Sequence, residues 1–216
     1  MGVDSLEIHI LQGVTAQRVG MLWDELSKVS AEGEPALRRV YRTENSAFGP
    51  TLDSTFSRWS NLTPLSHRSD GRQSSVAVSY HADSVLGRRS LNGSPERSIR
   101  RALSSGIYDG ASFDLLVRAA PLAPKYELTV PGYVSVTDTI ARLSARVVGS
   151  ERIRLADGAE GPEVWRVEMD FAGLASTMWI AKADRRMVRQ TIRLTPQLSM
   201  LMVRPGIAAP GIRSQL

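Results

Sequence analysis

Between Glu163 and Phe171 apolar and polar residues alternate, with Trp165, Val167, Met169 and Phe171 on one side and Arg166, Glu168 and Asp170 on the other. Farther on, Val188, Ile192 and Leu194 oppose Arg189, Thr191 and Arg193, and the short stretch Thr177 to Ile180 lies between the two. A two-residue period sends alternate side chains to opposite faces, so these segments predict strands of a half-buried antiparallel sheet. Such a sheet has an apolar face that protein or ligand must cover.

The same reading extends toward the N-terminus. Leu6 to Leu11 predicts a strand, and Val19 to Val29 another, with a helix over Met21 to Lys28 as its rival. After a turn at Glu32-Gly33-Glu34-Pro35, strand-like stretches contain Leu37, Val40 and Tyr41, then Leu52, Phe56 and Trp59, and Pro64 suits a strand start. Asp70-Gly71 and Asn92-Gly93 mark hairpins on either side of strands at Ser74 to Ala82 and Ser84 to Leu91, with a further strand at Glu96 to Leu103. Ser112 to Ala120 breaks the two-residue period and predicts a short helix, with Ser112 as its cap. Lys125 to Val130 resumes as a strand before a turn at Pro131-Gly132, and Ile140 to Leu155 follows, interrupted near Gly149. Asp157-Gly158 to Gly161-Pro162 closes the next hairpin. The pattern predicts a mainly β domain over residues 1–204, a strongly curved antiparallel half-barrel or barrel with a short capping helix, and an extended or disordered tail from Pro205 to Leu216.

Composition narrows the partners. The net charge of +5 raises nucleic acid or an anionic membrane, but the charge is carried almost wholly by dispersed arginines, with Lys28, Lys125 and Lys182 as the lysines. We therefore expect no nucleic-acid partner, while peripheral association with a membrane stays compatible with the charge. Cysteine is absent, which removes disulfides and thiolate chemistry. No apolar run reaches the roughly 18 residues of a membrane-spanning helix, and no leader opens the chain, so an export signal is expected to be missing from this sequence.

Candidate chemistry is sparse. His9, His67 and His81 lack metal-ligand spacing; His9 and His81 read as strand residues and His67 as part of an exposed bend, so no metal and no cofactor is expected. There is no Gly-x-Ser-x-Gly elbow and no phosphate-binding glycine loop. Asp24 and Glu25 are adjacent and face opposite sides of a strand; Asp109, Asp114, Asp138, Glu151 and Asp170 read as solvated strand or turn residues. Methionines concentrate at 169, 178, 187, 200 and 202, a choice that suits irregular apolar cavities as well as plain cores.

Several segments together carry a resemblance. Leu62-Thr63-Pro64-Leu65, Leu116-Val117-Arg118-Ala119-Ala120-Pro121-Leu122, Val148-Gly149-Ser150-Glu151, Val164-Trp165-Arg166-Val167 and Met178-Trp179-Ile180-Ala181-Lys182 resemble a bacterial envelope family similar to the LolA/LppX-like lipoprotein carriers. The resemblance covers roughly residues 51 to 203. It implies a half-barrel around a hydrophobic cavity with a helical lid, and a location in the periplasm or at the cell surface. It carries over no catalytic residue.

The expected function is non-enzymatic binding of a lipid, acyl chain or other hydrophobic small molecule. Trp165, Met169, Met178, Ile180 and Ile192 are the candidate ligand-binding residues, with Leu115 and Leu116 on the lid. One alternative is a structural module with a filled core that recruits an envelope protein partner through a strand edge. Another is a barrel hydrolase or isomerase, which needs convergent ionisable groups with strongly shifted pKa values.

Overall fold

A computed structural model describes residues 2–13, 15–31, 33–45, 47–91 and 93–208. Asn92, Glu32 and the tail beyond residue 208, all part of the sequence expectations, lie outside the described residues. The strands are β1 (Gly2–Gln12), β2 (Thr15–Ala31), β3 (Glu34–Asn45), β4 (Thr51–Arg58), β5 (Pro64–Gly71), β6 (Ser74–Tyr80), β7 (Ser84–Leu91), β8 (Arg97–Ala102) and β9 (Tyr108–Asp109). A 3-10 turn (Gly110–Ser112) leads into the helix α1 (Phe113–Ala119). Then come β10 (Glu127–Val134), β11 (Thr139–Arg154), β12 (Glu160–Phe171), β13 (Leu174–Ala181), β14 (Met187–Arg193) and β15 (Leu198–Val203).

The strand order is β8-β7-β6-β5-β4-β3-β2-β1-β15-β14-β13-β12-β11-β10-β9. Successive strands from β3 to β8 and from β12 to β15 pair antiparallel, β1 pairs antiparallel with β15, and β9 lies parallel to β10. The fold is thus mainly antiparallel β with one short helix, and because the order has two ends the sheet is not closed.

Several local expectations are corrected. The strand over Val19 to Val29 forms and the rival helix over Met21 to Lys28 does not, with Leu22 and Asp24 buried there. Pro131-Gly132 is strand interior: a Cβ built on Gly132 would lie 2.2 Å from Leu143 Cδ1, so the glycine answers close side-chain packing and no turn. β11 runs through Gly149 without a break. Asp109, not Ser112, caps the helical segment, its side chain accepting from the Ala111 amide. Within the segment expected as the tail, Ile207 bridges Leu155 and the Ala208 amide donates to the Arg154 carbonyl.

The chain falls into two compact units, one of residues 1–4, 22–116 and 130–143, the other of residues 5–21, 117–129 and 144–216. In the first, Val76 and Val78 of β6, Val85 of β7 and Ile99 of β8 pack with Ile107 and Tyr133. Tyr80 meets the Tyr133 ring edge-on at 6.0 Å between centroids. In the second, the sheet buries side chains on both faces. One face gathers Ile153, Val164, Ala181 and Val188, with Trp179 and Ile207 packed against them.

Candidate functional site

The other face of the second unit is built by register. Ile8, Met202, Gln190, Met178 and Val167 lie opposite one another on β1, β15, β14, β13 and β12 and form one transverse row. Ile10, Met200, Ile192, Ser176 and Met169 form the next. The first row is sealed, with Ile8, Met202, Met178 and Val167 all at most 3% exposed. In the second, Ile10, Met200 and Ile192 are half-buried. Apolar residues continue outward to the hairpin ends, where Phe171 pairs with Leu174, which is 37% exposed.

The opposite end of this face is closed by charge. Ile180 pairs with Trp165, and the Lys182 ammonium sits 4.1 Å from the centre of the Trp165 ring. Lys182 also pairs with Glu163, which accepts from Ser150 at 3.1 Å, and these contacts, Lys182 first, hold the Glu163 carboxyl below its ordinary range. The apolar face is therefore polar at one end and open-edged at the other.

The structure thus brings Trp165, Met169, Met178, Ile180 and Ile192 to one face, as the alternation implied. Leu115 and Leu116 lie on α1 within the first unit, Leu115 buried and Leu116 half-buried. Gln190, whose amide donates to Ser176 Oγ at 3.4 Å, is a polar member of the face that alternation alone did not single out.

The first unit contains a constellation that sequence reasoning missed. Arg39 on β3 is 4% exposed and lies between two carboxylates. Its Nε and Nη2 donate to Asp24 at 2.7 and 3.0 Å, and its Nη1 and Nη2 donate to Asp114 at 2.6 and 2.8 Å. A further Nη1 bond reaches the Ala111 carbonyl at 3.4 Å, so all five guanidinium protons have acceptors. Tyr41 stacks beneath the guanidinium at 4.7 Å, and burial lifts its phenol well above the usual range.

Beside this triad lies His67, opposite Thr55 and Val78 in the sheet register. It is 4% exposed and on strand β5, which corrects the exposed-bend expectation. Its Nδ1 lies 3.2 Å from Ser135 Oγ and 3.6 Å from Asp109 Oδ2, and its Nε2 lies 3.8 Å from Asp53 Oδ1. Asp109 is 2% exposed, against the expectation of a solvated turn. The Tyr80 hydroxyl faces this carboxyl without closing a hydrogen bond of normal geometry, and His67 Nε2 and Asp109 Oδ2 are likewise unbonded.

The remaining sequence candidates separate. Asp138 accepts from Arg101 and Tyr133, and Arg101 first among its contacts holds its pKa down. Glu151 accepts from Trp179 Nε1, Asp170 caps the turn at Gly173, and His9 sits beside Glu7 at 3.1 Å. His81 is exposed in a loop rather than on a strand. Among the described residues no group of three or more His, Asp or Glu is arranged to hold a metal ion, and no helix is long and apolar enough to cross a membrane.

Comparison with known proteins supports the fold. A crystal structure of a β-barrel-like protein, of a domain of unknown function called DUF1849 from Brucella abortus, is similar over 96% of this chain and 98% of that chain. Its TM-score is 0.55 at 12% identity, which speaks for a shared architecture alone. No curated protein matches. A family model described as "Protein of unknown function (DUF3108)" matches residues 8–202, which contain every strand from β2 to β14, the second half of β1 and all but the last residue of β15, and the chain accordingly belongs to the DUF3108 family.

Proposed function

We propose that this chain is a non-enzymatic cell-envelope protein, of the periplasm or cell surface, that binds a lipid, acyl chain or similar apolar molecule on the second unit. The observation that carries the reading is the graded apolar face: a row in which Ile8, Met202, Met178 and Val167 are buried around a half-buried Gln190, a half-buried row at Ile10, Met200 and Ile192, and an exposed Leu174 at the hairpin end. An acyl chain laid along the half-buried row removes further apolar surface from water, at about 0.8 kcal/mol per methylene. Methionines tolerate such an occupant because their unbranched side chains repack readily. The resemblance of the sequence segments to LolA/LppX-type carriers points the same way.

The test uses the purified full chain with an apolar fluorophore such as phenylnaphthylamine. Saturable emission, displaced by palmitate and lost in Ile192→Glu with the far-ultraviolet circular dichroism unchanged, is the expected result. No saturable emission, together with native mass spectrometry that finds only the bare chain after gentle purification, would overturn it.

A second reading has its own observation. β8 ends the strand order, and its exposed Arg97 and Arg100 are the kind of charge that keeps an edge strand from pairing indiscriminately. In that reading the sealed row is ordinary core and the β8 edge receives an envelope protein. Cross-linking at Arg100→Cys in intact cells distinguishes the two, since only the second reading places a partner there.

A further inference from the structure

The buried polar constellation of the first unit plays no part in apolar binding, yet it has a definite mechanical position. Beyond the pairing of β9 with β10, the segment Tyr108 to Asp114 is tied to the sheet by three side-chain links. Asp109 approaches His67, Ser112 donates to Thr55 at 3.2 Å, and Asp114 receives Arg39. These links differ in chemistry. The guanidinium stays charged at every accessible pH and the hydroxyl pair stays neutral. His67 with Asp109 is the link that changes with protons.

The surroundings of His67 make that change consequential. Asp53 faces it from β4 and Asp109 from β9, while Ser135 and Tyr80 contribute neutral hydroxyls. Arg39 stands two strands away in the same transverse row, but Asp24, Asp114 and a carbonyl already take all its donors. The imidazolium is therefore the cation available to Asp109. Once it is neutral, a carboxylate 2% exposed is left without a counter-charge. His67 Nδ1 and Asp109 Oδ2 are 3.6 Å apart, beyond hydrogen-bond length, and Asp109 Oδ2 has no hydrogen bond, so the link is held by charge more than by hydrogen bonding and loosens when the charge is lost.

We propose that His67 and Asp109 form a proton-dependent latch, which holds the Tyr108 to Asp114 segment tightly on the sheet in acid and loosens it as the imidazole is deprotonated. The segment immediately precedes Leu115 and Leu116, so its loosening is felt at the turn that leads into α1. The inference rests on the first unit alone and is independent of what the second unit binds.

The direction in pH follows from linkage. Burial opposes the imidazolium, but Asp109 and then Asp53 outweigh it, and His67 titrates above its ordinary 6.5. A group whose folded pKa is raised stabilises fully below its unfolded pKa and loses that contribution as pH rises through the folded value. Burial also raises Asp109, whose neutral form adds stability in acid and loses it in the same direction. The latch is therefore closed below 6.5 and weakens as pH climbs past it.

Hydrogen exchange of the full chain between about pH 6 and about pH 9, corrected for intrinsic rates, reads the latch directly. In the wild type, protection of amides 109–114 is expected to fall by up to about tenfold per pH unit once His67 titrates. His67→Gln leaves these amides weakly protected at all pH. Asp109→Asn keeps them protected, with no slope, because no charge then needs an imidazolium. Flat wild-type protection, a slope that survives in Asp109→Asn, or a His67 midpoint at or below 6.5 by proton NMR would each overturn the latch. Should His67→Gln fail to fold, Asp109→Asn and the wild-type titration decide the matter without it.

Discussion

The interiors of the two units are made from the same alternating strands and filled with opposite chemistry. In the second unit the inward positions of β12 to β15 are mostly Val, Ile, Met and Trp, with Gln190 and Ser176 as a polar pair among them and no buried ion pair among the described residues. In the first, the inward positions of β2 to β5 include Asp24, Arg39, Thr55 and His67, while β6 to β8 supply Val76, Val78, Val85 and Ile99. An apolar interior accepts any occupant that excludes water. A polar interior is committed, since each buried charge needs its own partner in place. The comparison teaches that the second unit can yield to a ligand where the first can yield only by changing its charges.

The sharpest break in that comparison is Arg39→Met. Removing one partner of a buried ion network leaves Asp24 and Asp114 facing each other unneutralised, and the expected loss is about 3–5 kcal/mol of unfolding free energy by urea denaturation. The triple variant Asp24→Leu, Arg39→Met, Asp114→Leu is expected to regain most of it, because no buried charge then remains. A triple variant as unstable as the single one would mean that the triad's geometry, and not its charge balance, holds the first unit together.

The same contrast explains what the sequence showed and what it concealed. Trp165, Val167 and Met169 were assigned to one face correctly because apolar and polar residues there keep strict phase with burial. Alternation makes His67 and Asp109 look like surface groups because it equates polar with exposed, and an inward-facing Asp or His looks the same in a sequence as an outward-facing one. The available clue was phase: Asp24 shares a parity with Leu22, and Arg39 with Leu37 and Tyr41, so both charges occupy apolar-phase positions. Partners were beyond reach, since Arg39 and Asp114 are 75 residues apart and meet only through the fold. β15 escaped for a different reason. Leu198 to Val203 is apolar on both faces, half-buried or buried throughout, and carries no period to read. The Pro131-Gly132 turn failed because glycine punctuates strands for packing as well as for turning, and here it makes room for Leu143.

Within the second unit, Met178→Ala and Ile192→Ala separate filled core from the open row. Met178 is fully buried and its truncation leaves a cavity, for an expected loss of about 2–5 kcal/mol. Ile192 is half-buried and its truncation is expected to cost only about 1 kcal/mol. Under the proposed function the order reverses for fluorophore affinity, which Ile192→Ala weakens more. Equal stability losses for the two variants would show the face to be uniform core, and the graded reading would fail.

The smallest effects are expected outside both interiors, where the units ought to behave alike. Arg68 reaches Asp70 at 2.7 Å in the first unit, and Arg146 reaches Glu168 at 2.6 Å in the second, with all four side chains largely in solvent. Exposed pairs of this kind are screened by water and salt, and the entropy lost in holding two long side chains offsets most of their attraction. Arg68→Gln and Arg146→Gln are therefore expected to leave the urea midpoint unchanged at physiological salt, in contrast to Arg39→Met. A clear loss from either would mean that surface charge supports the sheet. The difference between the units would then lie partly on their outer faces, where arginine is spread along both.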